Sequence, residues 1–240
     1  MTFEQDTDRP GPFRLDGFEW TEAILRDFET GNPARVSTLR KSAQLGGTIL
    51  ANILVGGTLA MRPCLVQYAH PTLENAKKWM ANKWEPFVRS SGLAALVNVD
   101  GHWDSRSSAF YQQRFDRRGA LQVVGANSAA SLSQSTVPVQ VQDDLSKWEH
   151  NSAGDSEEQA DSRSIGIETA KIFKISTPTV EGECKITAAF LAGDQQYRHV
   201  ACPHCGHDHP LRWEQFEPNI DPDRADLGAV FTCPDCGAEI

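Results

Sequence analysis

The chain has 240 residues, 40% hydrophobic and 23% charged, a composition that supports a full core and excludes a disordered polymer. A formal net charge of −9 excludes a protein coated with DNA-binding surface, so nucleic-acid contacts have to come from local basic patches or an assembled ring. No apolar run reaches the roughly 18 residues of a membrane span, and acidic Met1–Asp6 is no secretory signal, which predicts a cytoplasmic protein.

Residues 1–17, rich in Asp, Pro, Gly and Arg without periodicity, read as a loose arm. Phe18, Ala23, Ile24, Leu25 and Phe28 mark a short amphipathic helix, stopped by Gly31-Asn32-Pro33. Val36–Leu39 then reads as a strand and Ile49–Val55 as a helix ending near Gly56-Gly57. Between them lies Arg40-Lys41-Ser42-Ala43-Gln44-Leu45-Gly46-Gly47-Thr48. Strand, glycine-containing turn and helix form a phosphate cradle, because the first N–H groups of a helix and its dipole favour an anion. Thr48 stands where such loops hold magnesium through a hydroxyl, and Gly47 stands where the usual pattern has lysine. The competing reading is an ordinary glycine turn.

Pro63–Ala69 fits a buried strand, broken by His70-Pro71-Thr72, and Leu73–Val88 carries Leu73, Ala76, Met80, Trp84 and Val88 at helical spacing. This alternation predicts an α/β domain with a mainly parallel sheet. Ala109–Phe115 and Ala120–Gly125 flank Asp116-Arg117-Arg118-Gly119 as a hairpin, and Asn127–Leu132 reads as a short helix. Lys77, Lys78 and Lys83, and Arg114, Arg117 and Arg118, fit solvated faces or nucleic-acid contacts. Val137–Gln142 is a strand running into Asp143-Asp144; residues 149–164 are polar, and Ala170–Ile175 is a strand ending in Ser176-Thr177-Pro178-Thr179.

Three clusters carry chemistry besides the loop. Ligands bind beyond the carboxyl ends of strands in α/β sheets, so Asp143 and Asp144 face the same edge as residues 42–48. One carboxylate can hold magnesium through water while the other positions an attacking water; the plain alternative is a polar strand end. Ser176 and Thr177 can sense a γ-phosphate, or simply form a turn. Cys202-Pro203-His204-Cys205-Gly206 and Cys233-Pro234-Asp235-Cys236-Gly237 are two C-x-x-C knuckles 27 residues apart, a spacing that suits tetrahedral zinc. His204, His207 and His209 are expected as solvent-facing turn residues, and Cys64 and Cys184 as buried small side chains.

In this order the features resemble the lambda-type phage terminase large subunit, the GpA family, over about residues 20–240. The runs that carry the resemblance are Lys41-Ser42-Ala43-Gln44-Leu45-Gly46, His70-Pro71-Thr72-Leu73, Gly125-Ala126-Asn127-Ser128 with Ala130-Ser131-Leu132, and Ser176-Thr177-Pro178-Thr179-Val180-Glu181-Gly182. Gly193-Asp194-Gln195-Gln196-Tyr197 and the first cysteine knuckle follow. The resemblance implies an ASCE-like P-loop NTPase fold of three layers at 18–197 and a zinc ribbon at 198–240, truncated before the family's nuclease. It implies an ATPase motor that packages double-stranded viral DNA in the host cytoplasm. Implied partners are the terminase small subunit, the capsid portal and further copies in a ring. Carried across, Lys41, Ser42, Ala43, Gln44, Leu45, Gly46, Gly47 and Thr48 form the nucleotide loop. Asp143 is the magnesium carboxylate beside Thr48, Asp144 is the catalytic carboxylate, and Ser176, Thr177 and Pro178 couple hydrolysis to movement. The implied cofactors are ATP, Mg2+ and Zn2+, the last on Cys202, Cys205, Cys233 and Cys236. Departures are Gly47 in place of lysine, which shifts that role to Lys41, Asp144 in place of the longer glutamate, and Ser146 in place of an acid. The alternative is a catalytically impaired remnant that binds DNA or another packaging subunit.

Overall fold

The computed structural model describes residues 2–3, 11–98, 102–104, 109–216, 221, 223 and 230–240. It divides into two compact units, Met1–Gly193 and Asp194–Ile240. Residues 1 and 4–10 of the expected arm at 1–17 lie outside the described residues. Within it, β1 (Thr2–Phe3) pairs antiparallel with β2 (Gly11–Pro12), and Phe13 packs against the core instead of hanging free.

The first unit is built on a seven-stranded sheet. Its strands are β3 (Val36–Arg40), β4 (Leu65–His70), β5 (His102–Asp104), β6 (Ala109–Gln113), β7 (Ala120–Gly125), β8 (Val139–Asp143) and β9 (Lys171–Ser176). The spatial order is β3-β9-β8-β4-β7-β6-β5. The five strands from β3 to β7 run parallel, and β6 and β5 complete one edge antiparallel. Side chains alternate between faces along each strand. Val66, Tyr68, Leu121, Val123, Val139, Val141, Phe173 and Ile175 therefore share one core with the helices α2 (Gly47–Met61), α3 (Leu73–Trp79) and α4 (Glu85–Ser90). Ala69 and Val124 join a second core with residues of α5 (Ala129–Leu132), α6 (Ser156–Ser162) and α7 (Lys185–Leu191). Two cores on two sheet faces make three layers.

The second face is unusually polar. Gln140 donates to Ala160 O at 2.8 Å and to Ser164 Oγ at 2.6 Å, Gln142 donates to Asp161 Oδ1 at 2.7 Å, and Lys174 meets Glu157 and Asp161 at 2.7 Å. Gln140, Gln142 and Lys174 are buried, and each donates to a partner, as desolvation demands.

Four local expectations are corrected. α2 does not end at Gly56-Gly57 but runs to Met61, because Val55, Thr58 and Leu59 are buried and outweigh the roughly 1 kcal/mol that a mid-helix glycine costs. Leu73–Val88 is not one regular helix: a π turn at Met80–Trp84 separates α3 from α4. Pro86 explains it, since proline has no N–H to give the carbonyl four residues back and its ring crowds that carbonyl. The polar stretch 149–164 contains α6, opened by Asp155, whose Oδ1 accepts from Glu157 N at 2.8 Å and Glu158 N at 3.1 Å. α1 (Thr21–Asp27) is shorter than Phe18–Phe28, and Phe18 O instead accepts the Thr21 hydroxyl at 2.7 Å.

Candidate functional site

β3 delivers Arg40 to the carboxyl edge of the sheet, and the chain turns through 41–46 into α2. Gln44 and Gly46 have φ of 62° and 69°, and Gly46 caps α2 with no side chain on its N–H groups. Nothing acidic lies in the first turn, so the positive end of a 15-residue helix faces outward uncompensated. Lys41 N donates to Ser176 O at 3.2 Å, which pins the loop to β9, and Lys41 Nζ donates to Ser42 O at 3.2 Å. The Lys41 side chain then lies across the α-carbon of Gly47. A Cβ at that position would collide with Lys41 Cε and Ile175 Cδ1. Glycine at 47 is what leaves room for the lysine.

The loop borders a cavity of about 590 Å³. Lys41, Ala43, Gln44, Leu45, Gly46, Gly47, Thr48 and Thr177 line one side, and residues of the π turn and α4 line the other. Ser42 is the only loop residue of the expected set that does not line it.

Because β9 lies between β3 and β8, Ser176 sits between the loop and the acidic strand end. Register pairs it with Arg40 on one side and places Asp143 beside Ile175 on the other. Ser176 Oγ accepts from Ser146 N at 3.2 Å, tying the acidic turn to the same strand end. Asp143 is buried. Its Oδ2 accepts from Tyr68 Oη at 2.8 Å and lies 4.0 Å from His70 Nδ1, and its Oδ1 accepts from Asp144 N at 2.9 Å. Burial pushes the Asp143 carboxyl up to about 6, opposed by the Tyr68 hydroxyl. A carboxylate keeps lone pairs beyond these two contacts, so the residue can still serve a cation. Asp144 has φ 53° and pairs with Lys147 at 2.8 Å near the surface.

Tyr68 was given no role in the sequence, where β4 looked like a plain apolar strand, and His70, expected to break that strand, is instead its last residue. They form a stack with Trp79, with ring centroids 4.8 Å apart for Tyr68–His70 and 4.0 Å for Tyr68–Trp79. A tyrosine inside a buried run needs a partner for its hydroxyl, and that was the available signal. Ser146 also gained a contact that spacing does not show: its Oγ lies 3.2 Å from buried Cys184 Sγ, which accepts from Thr179 N at 3.3 Å. Cys64 is only half-buried.

In the second unit, β10 (His199–Ala201) pairs antiparallel with β11 (Asp208–Pro210). The Sγ atoms of Cys202, Cys205, Cys233 and Cys236 lie within 4.8 Å of one another, Cys202–Cys236 at 3.8 Å and Cys205–Cys233 at 3.7 Å. A tetrahedron with metal–sulfur bonds of about 2.3 Å has sulfur–sulfur edges of roughly 3.8 Å, so the set fits a thiolate-bound metal. The two knuckles repeat one geometry. Cys202 N donates to His207 O and Cys233 N to Ala238 O, both at 2.9 Å, and Gly206 and Gly237 have φ of 77° and 71°. Backbone N–H groups of Cys205 and His204 directed at Cys202 outweigh burial and bring that thiol to about 6. His204 and His207 are exposed as expected, but His209 is buried, with Nδ1 3.1 Å from His207 O.

The phage terminase large subunit gpA ATPase-domain model matches residues 16–240. The chain belongs to this family. The terminase large subunit of Escherichia phage lambda is 29% identical over 151 residues, covering 61% of this chain and 23% of that protein. That of Enterobacteria phage P21 is 27% identical over 149 residues, with 60% and 23% covered. The chain thus spans about a quarter of the length of these terminase relatives. The large terminase ATPase domain of Thermus phage P74-26 shares the fold, with a TM-score of 0.54 at 16% identity over 83% of this chain and 77% of that one. Within the terminase family, then, the parallel sheet, loop and acidic strand end belong to an ATPase domain. Among the described residues no helix is long and apolar enough to cross a membrane.

Proposed function

We propose that residues 18–197 form a magnesium-dependent ATPase and 198–240 a zinc ribbon. Together they serve a terminase motor that drives double-stranded viral DNA into a capsid in the host cytoplasm. The partners that follow are the terminase small subunit, the capsid portal and further copies of the chain in a ring. The observation that carries the reading is Lys41 lying over Gly47 at the open end of α2. A lysine is normally supplied from position 47 of such a loop; here position 41 supplies the same charge to the same space.

The roles follow from placement. Backbone N–H groups of 43–48 and the Lys41 ammonium neutralise the β- and γ-phosphates of ATP. Thr48 and Asp143 are the residues that would hold magnesium, which would supply positive charge to offset that of the phosphates. Asp144 orients the attacking water. Its exposed ion pair with Lys147 is worth little in water, so exchanging it for a water contact costs little. Ser176, hydrogen-bonded to the acidic turn and through its carbonyl to the loop, passes the phosphate state to Thr177 and Pro178. Cys202, Cys205, Cys233 and Cys236 would bind the zinc.

The test is a lysine swap. Lys41→Ala is expected to lower ATP turnover by roughly a hundredfold or more, the scale for losing a fixed transition-state charge. Gly47→Lys alone is expected to gain nothing, because the new side chain competes with Lys41 for the same space. The double change Lys41→Ala with Gly47→Lys should recover part of the loss. Turnover by Lys41→Ala equal to that of the unaltered chain would overturn the reading.

Tyr68 is a positioning residue. Tyr68→Phe removes the hydroxyl that fixes Asp143 Oδ2, and loss of such an outer contact weakens metal use by about tenfold or more. A magnesium titration of turnover should shift by that factor while the maximal rate at saturating magnesium falls much less. A lower rate with an unmoved magnesium midpoint would refute the assignment.

A further inference from the structure

The nucleotide cavity has a second wall that neither the loop nor the acidic turn explains. Ala81, Lys83, Glu85, Pro86, Phe87, Arg89 and Ser90 reach it from the π turn and α4. A π turn is rare, and here it sits directly ahead of the segment that faces the cavity. It advances the following residues by a fraction of a turn relative to a regular helix. Trp84, the last residue of the π turn, sits in the core, where its Nε1 donates to Gln112 Oε1 at 2.6 Å, while Lys83 within the turn and Arg89 after it line the cavity.

A second observation points to a ligand between the two walls. Asn52 lies one turn after Thr48 on α2 and lines the same cavity, 4% exposed. Its Oδ1 has no hydrogen-bond partner among the described residues. A buried amide oxygen left alone is costly, and a donor from a bound molecule relieves it. ATP carries such donors on its ribose and base and carries anionic charge at its other end.

Resting on the nucleotide reading above, we infer that α4 is part of the ATP site of its own chain, with Arg89 and Lys83 binding the triphosphate from the side opposite the loop. The charge inventory supports this. The loop holds one lysine, Lys41, and its glycine at 47 adds none. Lys83 and Arg89 against Glu85 give the opposite wall a net charge of +1, so the cavity as a whole is cationic. An arginine fork matches phosphate oxygens two at a time. Because both cations come from the same chain as the loop, the effect belongs to a single copy and needs no ring.

The test measures ATP affinity of the dilute, unassembled chain with a fluorescent ATP analogue. Variants are Arg89→Ala, Lys83→Ala and the pair, with Arg117→Ala on the distant hairpin turn as a charge control. Arg89→Ala should weaken ATP binding by about tenfold, the pair by more, and Arg117→Ala by nothing measurable. Thermal melting of Arg89→Ala should match the unaltered chain, since Arg89 is exposed, and melting of the Lys83 variants checks that they fold. If the unaltered chain binds ATP, Lys41→Ala abolishes binding, and the Arg89 and Lys83 pair changes nothing, this inference falls and the nucleotide reading stands. If the unaltered chain binds no ATP, both fall.

Discussion

Asp143→Asn is expected to stop ATP turnover, by roughly a hundredfold or more, and at the same time to make the protein more stable. Both effects come from one carboxylate held away from water. Burial raises its pKa from 3.8 to about 6, so at neutral pH the folded state pays to keep the charge that the unfolded chain carries freely. Asparagine removes that charge. Its amide can still meet the Tyr68 hydroxyl and the Asp144 N–H, so few contacts are lost. The raised pKa corresponds to about 3 kcal/mol at most, and imperfect amide geometry reduces the expected gain to roughly 1–2 kcal/mol.

The sign fixes the pH window. A folded pKa above the unfolded value means the folded state holds the proton longer, so its stability falls as pH rises from about 4 to about 6 and then levels. The advantage of Asp143→Asn is therefore absent below pH 4 and complete above pH 6. Neighbouring His70, brought down to about 3 by burial, stays neutral when folded throughout this window and cancels in the comparison. Denaturant titrations of both proteins in magnesium-free buffer at pH 4 and pH 7 measure it. A gap that does not widen between those values contradicts the buried-charge account.

Removing zinc is expected to unfold Asp194–Ile240 while the sheet unit survives. Among the described residues this unit buries only Cys202, Cys233 and His209, so two of the cysteines proposed to bind zinc are most of its core. Aromatic contacts such as Phe216–Phe231, centroids 5.0 Å apart, add little to a piece this small. Structural zinc contributes on the order of 10–16 kcal/mol in comparable peptides, more than such a unit can replace. Metal analysis should find one zinc per chain. After chelation, limited proteolysis should cut beyond residue 194 and spare the sheet. A second unit that resists protease without metal would disprove the zinc assignment.

The sequence by itself determined the parts whose causes are local. The glycine turn between a short strand and a helix, the two aspartates at a strand end and the paired cysteines all depend on neighbours a few residues away. Period-two and helical spacing exposed β3, β4, β6 to β9 and α2 for the same reason. The Asp155 cap of α6 is a local signal too, but residues 149–164 read only as polar and no helix was expected there. Gly56-Gly57 looked like a stop because propensity was weighed without the burial of Val55 and Leu59 that overrides it.

Tertiary structure alone decided how the site is assembled. Strand order places β9, some 130 residues after the loop, between the loop and the acids, and nothing in either segment announces its partner. Tyr68 reaches Asp143 across 75 positions, and Arg89 lines the loop's cavity from α4, which follows a π turn. Gly47 shows the difference most clearly. In the sequence it is a missing lysine; in the fold it is the gap through which Lys41 passes, because side chains compete for volume only once the chain has brought them together.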